Sequence, residues 1–116
     1  MAQLTTDIGA TMAQDPQLAE LVKRLVAAYS PEQVFLFGSR ARGEAGPDSD
    51  YDLLVVVPDD SAVDRTTSRL GYKALRGTGV AADVVVWRRS SFERRAHVRA
   101  SLPYAALHEG VVLHGG

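Results

Sequence analysis

Apolar residues recur along the chain with two different periods. Leu18, Leu21, Val22, Leu25, Val26 and Tyr29 fall at i, i+3, i+4, i+7, i+8 and i+11, the spacing of one face of an α-helix. Asp15-Pro16 supplies an N-cap and a proline at the first helical position. Ser30-Pro31 ends the helix, because the residue before proline avoids helical dihedrals. Val34–Phe37 and Leu53–Val57 differ. They are short, unbroken, β-branched or aromatic runs bounded by Gly, Ser and Pro, and they read as buried strands. The second strand is expected over Asp50–Val57 and a third over Val80–Trp87, with Asp83 near its start. Residues 61–76 read as a helix with Val63, Thr67, Leu70 and Ala74 on its core face and Gly71 in its middle. Ser90-x-x-Glu93 matches a capping box, which predicts a helix start near Ser91 with Phe92, Ala96 and Arg99 on one face. Ser101-Leu102-Pro103 interrupts that helix. A short last helix runs to Glu109, Gly110 stops it, and Val111–Leu113 forms a final strand. In residues 1–14 only Leu4, Ile8 and Met12 keep helical spacing, which leaves a short helix and a frayed terminus as equal alternatives. The order of elements predicts an α/β (α+β) fold: one small mixed β-sheet flanked by helices, in a single domain over residues 1–116.

Composition narrows the function classes. A length of 116 residues with 46% hydrophobic content suits one globular domain with its own core. There is no cysteine, so disulfides and thiolate metal sites are excluded. No run approaches the roughly 18 apolar residues of a membrane span, and the N-terminus lacks a secretory pattern. A cytoplasmic location and no membrane partner are therefore expected. The formal net charge of −1 gives no electrostatic footprint for nucleic acid, which is not expected as a direct partner.

Candidate chemistry concentrates in Gly38–Asp52, GSRARGEAGPDSDYD. A Gly-Ser pair closes the first strand, ten residues follow, and then Asp50 and Asp52 open the second. Residues two apart on a strand share a face, so the two carboxylates project together. Two like charges at such a site repel by about 1 to 4 kcal/mol, and a divalent cation is the simplest way to offset that. Mg²⁺ prefers carboxylates and substrate phosphates as ligands. Two such ions can clamp the attacking and leaving oxygens of a displacement at phosphorus. Asp83, just before Val84-Val85-Val86, is the candidate third carboxylate. Gly38 allows close backbone approach and Ser39 offers a hydroxyl and an N–H to a triphosphate. Arg40 and Arg42 are candidates to neutralise phosphate oxygens.

The stretch resembles the signature of the DNA polymerase beta-like nucleotidyltransferases: Gly-Ser, ten residues, Asp-x-Asp. The run GSRARGEA…SDYDLLVVV and the chain length resemble their minimal nucleotidyltransferase members. The likeness spans roughly residues 18–113, although only the motif is specific. It implies that Asp50 and Asp52 bind both of two Mg²⁺ ions. Asp83 would bind the catalytic one and help deprotonate the acceptor hydroxyl, while Gly38 and Ser39 hold the β- and γ-phosphates. Tyr51 is bulkier than the aliphatic residue expected between the aspartates, and its side chain should point to the opposite face. Minimal members are commonly paired with a helical HEPN-type ribonuclease toxin. The resemblance thus implies an antitoxin that transfers AMP from ATP to a toxin tyrosine. The alternatives are an antitoxin that only masks the toxin surface, and a nucleotidyltransferase acting on a small molecule.

Other features have blander readings. Arg65, Arg69, Lys73 and Arg76 lie on one face of the expected 61–76 helix; a solvated face is favoured over a docking surface for an acidic partner or RNA. Arg88, Arg89, Arg94, Arg95 and Arg99 are read the same way. His97, His108 and His114 lack metal-ligand spacing and count as surface or packing residues. Trp87 and Tyr104 are read as core or interface.

Overall fold

The apolar run Leu53–Val57 is unbroken because its strand is covered on both faces. A computed structural model describes residues 15–46 and 49–115; the two readings of residues 1–14 fall outside the described residues, as do Pro47 and Asp48. Strand β2 (Tyr51–Val57) lies between β1 (Gln33–Phe37) and β3 (Ala82–Arg88), and β4 (Val111–His114) borders β1 on its other side. The sheet order is β3-β2-β1-β4. β1 runs antiparallel to β2 and β4, while β2 and β3 are parallel. The expected mixed sheet flanked by helices is thus what the chain forms. Three strand starts shift: β1 begins at Gln33, β2 begins at Tyr51, and β3 begins at Ala82 and takes in Arg88.

Helix α1 (Pro16–Tyr29) follows its sequence signals closely. Asp15 caps it by accepting the Leu18 N–H at 3.1 Å, and Ser30 ends it in the left-handed region at φ 47°. Its Leu18, Leu21, Val22, Leu25 and Tyr29 pack with Val34, Leu36, Tyr51, Leu53, Val55, Val57, Val84 and Leu113 on one face of the sheet. The opposite face carries Phe35, Leu54 and Val56, with Phe37, Val85, Trp87 and Val112 against them. It is covered by Phe92 of α4 (Arg89–Arg95) and Ala106 of α5 (Leu102–Glu109). Phe35 and Phe92 stack with ring centroids 5.5 Å apart. The helical pair α2 (Gly38–Ala41) and α3 (Ser68–Ala74) completes the set, α2 between β1 and β2 and α3 between β2 and β3.

Two helix expectations are corrected. Residues 61–76 are not one helix. A 3₁₀ turn, Val63–Thr66, is separated from α3 by Thr67 in extended conformation. The break has a tertiary cause: the Tyr29 hydroxyl donates to the Thr67 carbonyl, which a continuous helix would have used internally. Val63 is consequently 75% exposed, and Gly71 and Leu75 are the buried residues here. The Arg65 side of the expected basic face is thereby cut off from Arg69, Lys73 and Arg76. The Ser90 capping box does not form either. The helix starts at Arg89 after an Arg88 cap, and the Ser90 N–H donates instead to Asp59 Oδ1 at 2.9 Å. Arg88 reaches the carbonyls of Asp59 and Ser61, while Arg89 pairs with Glu32 at 2.7 Å and Gln33 Oε1 at 2.7 Å. These two arginines brace loops.

Gly71 marks where α3 meets β3 and α1. A Cβ there would stand 2.8 Å from Val84 Cγ1 and 2.9 Å from the Tyr29 hydroxyl oxygen. Gly71→Ala gains roughly 1 kcal/mol of helix propensity. It overpacks the contact by about 1–3 kcal/mol. A net loss of stability is expected, read as a lower urea midpoint at unchanged m-value.

Candidate active site

Strand register brings the carboxylates together. In the parallel β2–β3 ladder Asp52 is the direct partner of Asp83, and across the antiparallel ladder Asp52 faces Phe37. By alternation Asp52 shares a face with Leu54 and Val56, and Asp83 with Val85 and Trp87, the α4/α5 side of the sheet. Asp50, one residue before β2, falls on the same side by period. Asp50 and Asp83 are exposed, and Asp52 is partly buried.

The three carboxylates interact electrostatically. The Asp52 carboxyl is pushed above the ordinary carboxylate range, first by burial, then by the negative charges of Asp83 and Asp50, with Arg42 opposing. Among the described residues, no three His, Asp or Glu side chains are closed into a metal-holding shell as they stand. The donor set nonetheless fits a hard divalent cation: oxygen ligands, like charge, and one partly buried member destabilised in its ionised form.

Gly38 follows β1 and opens α2 at φ +76°, a conformation that L side chains rarely adopt. Its missing side chain has a specific meaning. A Cβ there would stand 2.2 Å from Asp52 Oδ2, so the glycine leaves room for the acidic group itself. The expectation for Gly38 was room for a phosphate; the sequence carries no signal for this second demand. Ser39 follows at once, and its carbonyl accepts the Glu44 N–H at 2.9 Å, closing the turn.

The two arginines of the motif part company. Arg42 stays near the carboxylates: it pairs with Glu44 at 2.9 Å and approaches Glu109 at 3.9 Å. Glu44 raises its pKa most, with smaller effects from Glu109 and Asp52. Arg40 is not brought to Asp52. Its guanidinium lies 4.0 Å from the centroid of the Tyr51 ring, and Nε and Nη2 donate to the Ser49 carbonyl at 2.9 and 2.7 Å. Tyr51 points to the face opposite the aspartates, as expected, and is buried against α1. Its hydroxyl donates to Asp15 Oδ2 at 2.6 Å. Burial first, then that carboxylate, push its pKa up to about 12. Sequence reasoning missed this Asp15–Tyr51–Arg40 contact, and the unexpected tyrosine between the aspartates was its one signal.

A separate open cleft of about 1020 Å³ lies along the outside of α3, lined by Arg69, Tyr72, Lys73 and Arg76 among others. None of the motif residues lines it. Tyr104 stacks on His108 with centroids 3.8 Å apart, and Trp87 packs into the α4/α5 core. No helix among the described residues is long and apolar enough to cross a membrane.

Comparisons with known proteins bear on the family and the fold. The family described as nucleotidyltransferase domain matches residues 17–108. Among solved structures, the fold resembles the crystal structure of a candidate nucleotidyltransferase from Sulfolobus solfataricus. The match has a TM-score of 0.55 and 21% identity, and covers 94% of this chain and 85% of the other. At that identity the likeness speaks for the fold. No curated protein matches the chain.

Proposed function

Because the chain belongs to the nucleotidyltransferase domain family, whose general reaction is nucleotidyl transfer, we propose that it moves AMP from ATP to a protein hydroxyl. The acceptor in this reading is a tyrosine of a HEPN-type ribonuclease toxin, and the chain acts as the antitoxin. The observation that carries the chemistry is Asp52 paired in register with Asp83, its ionised form destabilised by burial and then by both neighbouring aspartates. The antitoxin role is supported by the likeness of GSRARGEA…SDYDLLVVV to minimal nucleotidyltransferases. Exposure of Asp50 and Asp83 leaves the site open to a side chain presented by another protein.

Asp50, Asp52 and Asp83 would hold Mg²⁺. When bound, two such ions spread the charge that develops on the phosphate oxygens during an in-line displacement. The chain's own residues supply position and proton acceptance. Gly38 and Ser39 present backbone at the mouth of the sheet, where the β- and γ-phosphates would lie. Asp83, the more exposed of the paired carboxylates, takes the proton of the acceptor hydroxyl. A bond forms between that oxygen and the α-phosphorus. The bond from the α-phosphorus to the bridging oxygen breaks, and pyrophosphate leaves with its electron pair. Most of the rate gain is assigned to orientation and electrostatic preorganisation.

Incubation of the chain with ATP, Mg²⁺ and the cognate HEPN-type ribonuclease that this reading requires tests it directly. The intact mass of the ribonuclease should rise by whole AMP units. An unchanged mass while the ribonuclease is nevertheless silenced would replace transfer with surface masking.

A further inference from the structure

The segment that delivers the acidic pair is pinned from behind. Every polar backbone and side-chain group of Ser49 is engaged. Its N–H donates to the Gly46 carbonyl at 3.2 Å, its Oγ accepts the Gly46 N–H at 3.1 Å, and its carbonyl receives two donors from Arg40. Two residues on, the Tyr51 N–H donates to the Ala81 carbonyl at 3.1 Å, and its hydroxyl reaches Asp15, whose other oxygen caps α1. Asp50 stands between these two anchors, itself exposed. The Arg40 guanidinium joins them, 4.0 Å from the centroid of the Tyr51 ring and with two nitrogens donating to the Ser49 carbonyl.

We propose that Arg40 is a positioning residue for the acidic pair: stacked on Tyr51, it holds the Ser49 carbonyl so that Asp50 stands beside Asp52 ready for a cation. The inference rests on the reading of Asp50 and Asp52 as cation ligands and reassigns Arg40 from the phosphate role expected of it. Tyr51 is then explained as well. An aliphatic residue would fill the core position but offer neither a π face to Arg40 nor a hydroxyl to the α1 cap. Arginine is required over lysine because only a planar guanidinium stacks on the ring while presenting two parallel donors to one carbonyl. The gain lies in preorganisation. An Asp50 backbone already fixed need not be ordered by the incoming ion, which at one residue's worth of backbone entropy is about tenfold in affinity.

The test measures two affinities on the full chain, for wild type, Arg40→Lys and Arg40→Gln, each checked for an intact fold by circular dichroism. Mn²⁺ binding is followed by electron paramagnetic resonance, and ATP binding in EDTA by equilibrium dialysis. Mn²⁺ affinity should fall about tenfold in both variants, with metal-free ATP affinity unchanged. Lysine failing to rescue would show that geometry, and not charge alone, is what Arg40 supplies. Unchanged Mn²⁺ affinity in the variants would overturn the proposal, as would a loss confined to metal-free ATP binding, the mark of a phosphate contact. Wild type that binds no Mn²⁺, or binds it equally after Asp52→Asn, would instead remove the ligand reading and the positioning role with it.

Discussion

Asp52→Asn is expected to abolish nucleotidyl transfer while making the metal-free protein harder to unfold. The two effects share one cause. The carboxyl is raised above its ordinary pKa by burial and by Asp83 and Asp50. A group whose folded pKa exceeds its unfolded value adds stability fully present below the unfolded pKa and lost as pH rises through the folded one. At neutral pH the metal-free wild type has already lost that contribution. Asparagine carries no charge to lose, so the variant should melt higher in EDTA at pH 7. The difference should shrink as pH falls below the carboxylate range. Mg²⁺ should raise the wild-type melting temperature by mass action and leave the variant nearly unmoved. Transfer should fall by about a thousandfold or more, since several kcal/mol of charge stabilisation go with the ligand. Melting curves with and without Mg²⁺, beside a pyrophosphate-release assay, check both halves.

Gly38→Ala should damage both stability and activity. At φ +76° an alanine is strained, and its Cβ would stand 2.2 Å from Asp52 Oδ2 and 3.1 Å from Cγ. Left-handed backbone costs about 1–2 kcal/mol for a side-chain-bearing residue, and forced contacts about 1–3 more. The strand holds the Asp52 backbone in register with Asp83, so the carboxyl group must swing away. Misplacement of about 1 Å at a reacting centre can cost a hundredfold in rate. The expected result is a loss of about 2–5 kcal/mol in urea unfolding, with transfer down by at least about a hundredfold in the fraction that remains folded. Unlike Asp52→Asn, this variant should be less stable at every pH.

Local signals made much of the chain legible before any coordinates. Helix α1 carries its own stripe, cap and stop, and the strands follow from apolar runs bounded by Gly, Ser and Pro. The motif spacing placed Asp50 and Asp52 on one face, and alternation sent Tyr51 to the other. Register with Asp83 followed once β2 and β3 lay side by side. What could not be read has a common origin in contacts between distant residues. The Tyr29 hydroxyl takes the carbonyl of Thr67, 38 positions away, and splits a stretch whose periodicity alone reads as one helix. Asp59 caps Ser90 from 31 positions away and moves the start of α4. Arg40 reads in sequence as a candidate for phosphate oxygens; its contacts with the Tyr51 ring and the Ser49 carbonyl are visible only once the loop is folded. Gly38 was recognised as a position needing space, but which group claims the space is visible only when β1 and β2 are paired.

Anomalous diffraction from crystals grown with Mn²⁺ and a non-hydrolysable ATP analogue would probe the shared role of the three aspartates most directly. Peaks should appear at roughly 2.0–2.3 Å from carboxylate oxygens of Asp52 and Asp83, with the triphosphate over Gly38 and Ser39. Nucleotide bound elsewhere, or manganese absent from between the Asp52 and Asp83 strands, would refute the site.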